Sequence, residues 1–278
     1  MRRVVYGVLF VPALAAATLG SVISSFSVPS GGPPTTELTY FDSASVYAVT
    51  YYFGGPVTSC ILRRYTTGGS VVSSFPCVTS LYSDCDRSHL GANYIAVCAY
   101  DHIAQMNKST GSFVQSFPAT GPGGSEPECL AWDGRYYWVS AWNARGEFRK
   151  YTSAGSFAGN WLAAGWPAAK NTTGGLAWLH RFRNNSGNYL FVGSFIDDPV
   201  LAVLNGDTGA LLTTFTLPAR SFTSAMYADS SRPGTYGAAL WLLRTDFGGQ
   251  WSWETDIDAR GGNDVLPASL GRIKATYR

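Results

Sequence analysis

Gly111-Ser112-Phe113-Val114-Gln115-Ser116-Phe117-Pro118 is one copy of a phrase that returns along the whole chain. Earlier copies are Gly20-Ser21-Val22-Ile23-Ser24-Ser25-Phe26 and Gly69-Ser70-Val71-Val72-Ser73-Ser74-Phe75-Pro76. Weaker copies follow at Gly155-Ser156-Phe157, where Trp161 takes the aromatic place, and at Gly209-Ala210-Leu211-Leu212-Thr213-Thr214-Phe215. The first four start 49, 42 and 44 residues apart. A period of about 40–50 residues marks repeat architectures, and it is the length of one four-stranded propeller blade.

Between copies, each unit holds three more strand-like runs. The third unit shows them most clearly. Cys129-Leu130-Ala131-Trp132 reads as a first strand, Asp133-Gly134 as a hairpin turn, Tyr136 to Ser140 as a second strand and Glu147 to Tyr151 as a third. Asp-Gly between apolar runs is a strong hairpin signal, because both turn positions must tolerate positive φ. The Gly155 phrase then supplies the fourth, outermost strand. The second strands are the most continuously apolar runs, exemplified by Val46 to Val49, Tyr94 to Val97, Tyr189 to Val192 and Ala239 to Leu243. Continuous apolarity is expected of a strand covered on both faces.

These patterns predict an all-β chain, a β-propeller of four-stranded antiparallel blades. Five complete three-strand cores give five blades; six is the alternative, if both chain ends together build one more. The Gly20 phrase has no three strands before it, so it is expected as the outer strand of the last blade, closing the ring and removing exposed edges. No long amphipathic run offers the crossover helices of a parallel α/β fold. Through Leu130-Ala131-Trp132-Asp133-Gly134 and Tyr137-Trp138-Val139-Ser140, the chain resembles secreted bacterial β-propeller repeat proteins, akin in form to the NHL and YVTN types, over roughly residues 20 to 258. The resemblance implies an architecture; propellers host many unrelated activities.

The N-terminus reads as an export signal: Arg2-Arg3, an apolar stretch from Val4 to Leu14, then Ala15-Ala16-Ala17. Residues 1–17 are therefore expected to be a signal peptide or a retained apolar segment, too short for a comfortable membrane span. Residues 18–278 are expected to form a single propeller domain, secreted or at the cell surface. At 278 residues, with 46% hydrophobic and 14% charged, the chain has the means to bury a large core and lies outside the disordered class. A net charge of +2 with scattered Lys and Arg gives no footprint for nucleic acid.

In an exported chain the five cysteines, Cys60, Cys77, Cys85, Cys98 and Cys129, are expected to be oxidised, with one left over. Cys85 and Cys98 flank a hairpin centred near Gly91-Ala92 and are the expected pair; spacing assigns no others. Asn107, Asn171 and Asn184 each open a glycosylation sequon.

For catalysis, Asp42, Asp84, Asp86, Glu126, Glu128, Asp133, Asp197 and Asp198 are the available acids. A glycosidase needs carboxylates converging from different blades, and these do not occupy matching positions in the units. Asp133 and Asp197-Asp198 also suit turns. His89, His102 and His180 stand apart from any cysteine pair, and no phosphate loop or calcium loop is present. No catalytic residue, metal or cofactor is assigned. The loops joining second to third strands share one face and carry Tyr52-Phe53, Tyr100-Asp101, Trp142-Asn143, Phe195, Asp197 and Asp246. Aromatics beside a carboxylate or amide suit sugars or a protein contact. The expectation is a non-catalytic extracellular binding or scaffold module, with protein or carbohydrate at the cell surface as partner. The alternatives are a subunit that self-associates into a filament or surface layer, and a polysaccharide-active glycosidase or lyase.

Overall fold

The computed structural model describes residues 17–18, 22–28, 34–41, 45–52, 60–76, 82–99, 101–120, 127–141, 146–163, 166, 175–182, 185–193, 200–216, 222–229, 239–246 and 249–256. Two strands come first, β1 (Ala17–Thr18) and β2 (Val22–Val28). The repeat units follow. The first contains β3 (Pro34–Phe41), β4 (Ser45–Tyr52), β5 (Cys60–Thr66) and β6 (Val71–Pro76). The second contains β7 (Tyr82–Arg87), β8 (Tyr94–Ala99), β9 (His102–Asn107) and β10 (Phe113–Pro118). The third has β11 (Pro127–Trp132), β12 (Tyr136–Ala141), β13 (Glu147–Thr152) and β14 (Phe157–Leu162). The fourth has β15 (Leu176–Phe182), β16 (Asn185–Gly193), β17 (Val200–Asn205) and β18 (Leu211–Thr216), and the last β19 (Phe222–Asp229), β20 (Ala239–Asp246) and β21 (Gly249–Asp256).

Each unit folds as an antiparallel meander, so the fold is all-β with four-stranded blades in a propeller. The last three strands are completed by β2, which pairs antiparallel with β21 from Val22↔Thr255 to Val28↔Gln250. The innermost strands β3, β7, β11, β15 and β19 are neighbours in that order, and β19 also lies beside β3. Uniform four-stranded blades, five or six in number, are not what the strands form. Among the described residues four sheets have four strands, while the sheet of β15 to β18 has five. There β1 adds in parallel, with Ala17 opposite Phe215 and Thr18 opposite Thr216. The open hydrogen-bonding edge of β18 accepts it, as an unprotected outer strand does. No helix among the described residues is long and apolar enough to cross a membrane.

Alternation explains the apolar second strands. In the third sheet Leu130, Tyr137, Val139 and Tyr151 pack with Ala96, Cys98, Ile103 and Phe117 of the second sheet. Their strand neighbours Cys129, Ala131, Trp138 and Phe148 face the other way, onto Leu176, Trp178, Leu190, Val192 and Leu204 of the fourth. Successive side chains point to opposite faces, so a sheet sandwiched between two others must be apolar at every position. Each fully buried side chain of this kind, Phe148 and Leu190 among them, contributes about 1.5–3 kcal/mol.

The recurring Gly–Phe phrase has a packing reason. Gly111, Gly155 and Gly209 follow the third strand of their sheets with φ of +70°, +81° and +79°. A Cβ on Gly111 would lie 2.4 Å from Phe75 Cβ, and one on Gly155 2.4 Å from Phe117 Cβ. On Gly209 it would lie 2.8 Å from the Leu162 carbonyl oxygen and 3.1 Å from Trp161. Each glycine thus seats the aromatic of the preceding sheet's outer strand, and the phrase is an interlock between neighbours. Trp161 substitutes for Phe in the Gly155 copy.

The register overturns the expected Cys85–Cys98 disulfide. Cys85 lies opposite Val97 and Cys98 opposite Asp84. Residues directly opposed share a face, and Val97 and Cys98 are successive, so the two sulfurs lie on opposite faces of the sheet. Both are buried thiols, as is Cys129, whose Sγ accepts a hydrogen bond from Gly175 N at 3.1 Å.

Candidate functional site

In an antiparallel meander the first-to-second and third-to-fourth turns share one end of the sheet. The second-to-third loops occupy the other. Of the residues predicted for that second face, Tyr52 ends β4, Asp246 ends β20 and Asp101 occupies the turn between β8 and β9. Asp101 is exposed and its carboxylate meets His102 Nδ1 at 2.5 Å, while its carbonyl accepts from Ala119 N. Phe53, Tyr100, Trp142, Asn143, Phe195 and Asp197 lie outside the described residues, as do the sequon positions Asn171 and Asn184. Asn107 is placed: its Oδ1 accepts from Ser109 N and Thr110 N at 2.9 and 3.1 Å, capping the β9–β10 turn. Asn205 makes the same turn with Asp207 N and Thr208 N. Because Asn205 opens no sequon, asparagine at this place has a conformational reason of its own.

Two clefts open on the opposite face, where the sequence reading assigned no site. The first, about 320 Å³, is lined by residues including Arg87, Ser88, Trp132, Asp133 and His180 at the ends of inner strands β7, β11 and β15. Beneath it the second and third sheets are joined by polar groups. Asp86 is buried; its Oδ2 accepts from Trp132 N at 2.7 Å and its Oδ1 from Arg87 N at 2.6 Å. Burial drives the Asp86 carboxyl above the usual carboxylate range, against the pull of Arg87 and these two bonds. Tyr137 Oη accepts from His89 N at 2.9 Å and donates to Gln105 Oε1 at 3.3 Å. Ser88 Oγ donates to the same Gln105 oxygen at 2.5 Å. Burial pushes the Tyr137 hydroxyl up to about 12 and holds the His89 imidazole below its ordinary value.

The second cleft, about 390 Å³, lies between the third and fourth sheets. Trp138 and Trp178 form its buried floor, stacked with centroids 5.0 Å apart and planes 25° from parallel. Trp161 meets Trp138 edge-on at 5.1 Å, and half-buried Tyr136 stands on the other side. The turn after β11 is a hairpin turn as expected, but Arg135 joins Asp133 and Gly134 in it. Asp133 organises this turn and the floor together. Its Oδ1 accepts from Arg135 N and Tyr136 N, both at 2.6 Å, and its Oδ2 accepts from Trp138 Nε1 at 2.7 Å. The paired Leu-Ala-Trp runs at 130–132 and 176–178 were the available sequence signal for tryptophans at this face. What they lacked was the neighbour relation between sheets.

Among the described residues no three His, Cys, Asp or Glu side chains gather as a group able to hold a metal ion. No protein-family model matches the chain, and no curated protein matches it in sequence. The fold does have counterparts among solved structures. The crystal structure of Myxococcus xanthus glutaminyl cyclase is similar with a TM-score of 0.62 and 9% identity, over 87% of this chain and 97% of that one. A chain of the mitotic checkpoint complex gives a TM-score of 0.49 and 12% identity, over 92% of this chain and 99% of its own. The first likeness shows a propeller-type fold; at this identity it carries no chemistry across.

Proposed function

We propose that the chain is an exported, non-catalytic binding or scaffold module whose sheets close into one ring. The observation that carries the binding reading is the aromatic cleft between the third and fourth sheets. Its tryptophans are fixed on strands, its turn is locked by Asp133, and its volume falls in the range of ligand clefts, about 300–1,000 Å³. Rigid aromatic walls with a few placed polar groups recognise ligands at low entropic cost. Ring closure is supported by β2 completing the last sheet and by the placement of β19 beside β3.

The test is a binding screen of the purified chain against glycans and cell-surface proteins, followed by recovery of the ligand. A saturable ligand recovered unchanged is the expected outcome. Conversion of a bound polysaccharide, or cyclisation of a glutaminyl peptide, would replace this reading with an enzymatic one. Export is tested separately, by the mass of the N-terminal peptide of secreted material.

A second reading, self-assembly into a filament or surface layer, is favoured by the outer strands. Val71 and Val72 of β6, Phe113 and Val114 of β10, and Leu162 of β14 are exposed apolar residues on strands at the sheet margins. Analytical sedimentation separates the two readings: a monomer across the micromolar range supports the binding module.

A further inference from the structure

The cleft between the third and fourth sheets holds two cations and two acids, and they are not in equivalent states. Asp133 is spent on the three donors that hold its turn and Trp138. Asp207 accepts from Asn188 Nδ2 at 2.7 Å. The cations instead lie over rings: Arg135 is 4.8 Å from the Tyr136 centroid, and Lys150 Nζ is 5.7 Å from Tyr136 and 5.2 Å from Trp138. Neither has a carboxylate partner among the described residues. Cation–π contact positions a charge without neutralising it, so both stay available to an incoming anion. Lys150 is half-buried and Arg135 exposed, which places one charge within the cleft and one at its mouth.

Resting on the binding-module reading, we infer that this cleft takes an acidic sugar, a uronic acid unit of a polysaccharide, with the sugar face against Tyr136 and Trp161 and the carboxylate between Arg135 and Lys150. A simple inorganic anion would use the cations and leave the aromatic walls without a role. A neutral sugar would use the walls and leave both cations unpaired. The uronate uses both, and its carboxylate matches the two-pronged geometry of a guanidinium.

The experiment is calorimetric titration of the intact chain with a galacturonic acid trisaccharide, the neutral galactose trisaccharide and sodium sulfate. Arg135→Gln, Lys150→Gln and Trp161→Ala are titrated alongside, with thermal melts to confirm folding. The expected result is saturable uronate binding at least tenfold tighter than either comparator. Each cation substitution should weaken it about tenfold, as loss of a charge-assisted hydrogen bond does, and leave neutral-sugar binding unmoved. Equal affinity for uronate and neutral sugar overturns the acidic ligand but retains the binding module. Equal affinity for sulfate, or uronate binding indifferent to Trp161→Ala, overturns the sugar. Absence of uronate binding overturns the inference, and the module reading then stands or falls by its own screen.

Discussion

Replacing Gly155 with alanine tests whether the repeated phrase is an interlock between sheets. Gly155 has φ +81°, and an added Cβ would sit 2.4 Å from Phe117 Cβ and 2.6 Å from its Cγ. These are the root of a buried side chain, 8% exposed, which cannot swing aside as a flexible tip would. Two costs add. The left-handed backbone costs an L-residue about 1–2 kcal/mol, and overpacking a filled site costs about 1–3 kcal/mol. Gly91→Ala separates them, because Gly91 has φ +106° and an added Cβ there would meet nothing within 4 Å. That variant bears the backbone cost alone. Gly155→Ala should therefore be less stable than Gly91→Ala by about 1–3 kcal/mol, and melt lower by about 2–4 °C for each kcal/mol. Thermal melts followed by near-ultraviolet circular dichroism, with urea titration beside them, measure the difference. Phe117→Gly placed in the Gly155→Ala background removes the obstructing Cβ and should give less than additive loss. Equal melting of the two alanine variants would refute the interlock.

Asp86→Ala strips the acceptor from Trp132 N and Arg87 N, and should destabilise by about 1–3 kcal/mol for each donor left buried, read from the urea midpoint. Because burial raises the Asp86 pKa, the native state keeps a proton that the unfolded chain releases above about 3.9. Stability attributable to this group therefore falls as pH rises from there to the native value, and Asp86→Asn should flatten that slope in calorimetric scans. Tyr137 behaves likewise at alkaline pH: with its native pKa about 12, its contribution is full below about 10 and declines by about 2–3 kcal/mol as pH rises to 12. Tyr137→Phe should lose that decline. Finally, alkylation in denaturant without reductant should modify both Cys85 and Cys98, and a disulfide-linked peptide between them in the mass spectrum would contradict the β7–β8 register.

The period of the Gly-Ser phrases, the hairpin at Asp133-Gly134 and the apolar second strands were enough to read antiparallel four-stranded blades from residues alone, because these features obey local rules: positive φ at turns and alternation along strands. The Gly20 phrase could even be assigned to the last sheet, since an outer strand without its three companions needs a partner elsewhere. Other features depended on which sheet lies beside which. Cys85 and Cys98 flank the same hairpin, yet a register that sets Cys85 against Val97 separates them to opposite faces, and spacing does not encode that one-residue parity. The cleft was hidden for a similar reason. Trp138 and Trp178 are forty residues apart in sequence and belong to different sheets, and only their stacking at 5.0 Å makes them one floor. Sequence by itself determined the strands, their order and their turns, because those are set by each residue and its near neighbours. Tertiary structure decided the fifth strand on β18, the cysteine faces and the aromatic cleft, because packing between sheets joins residues whose proximity no local pattern records.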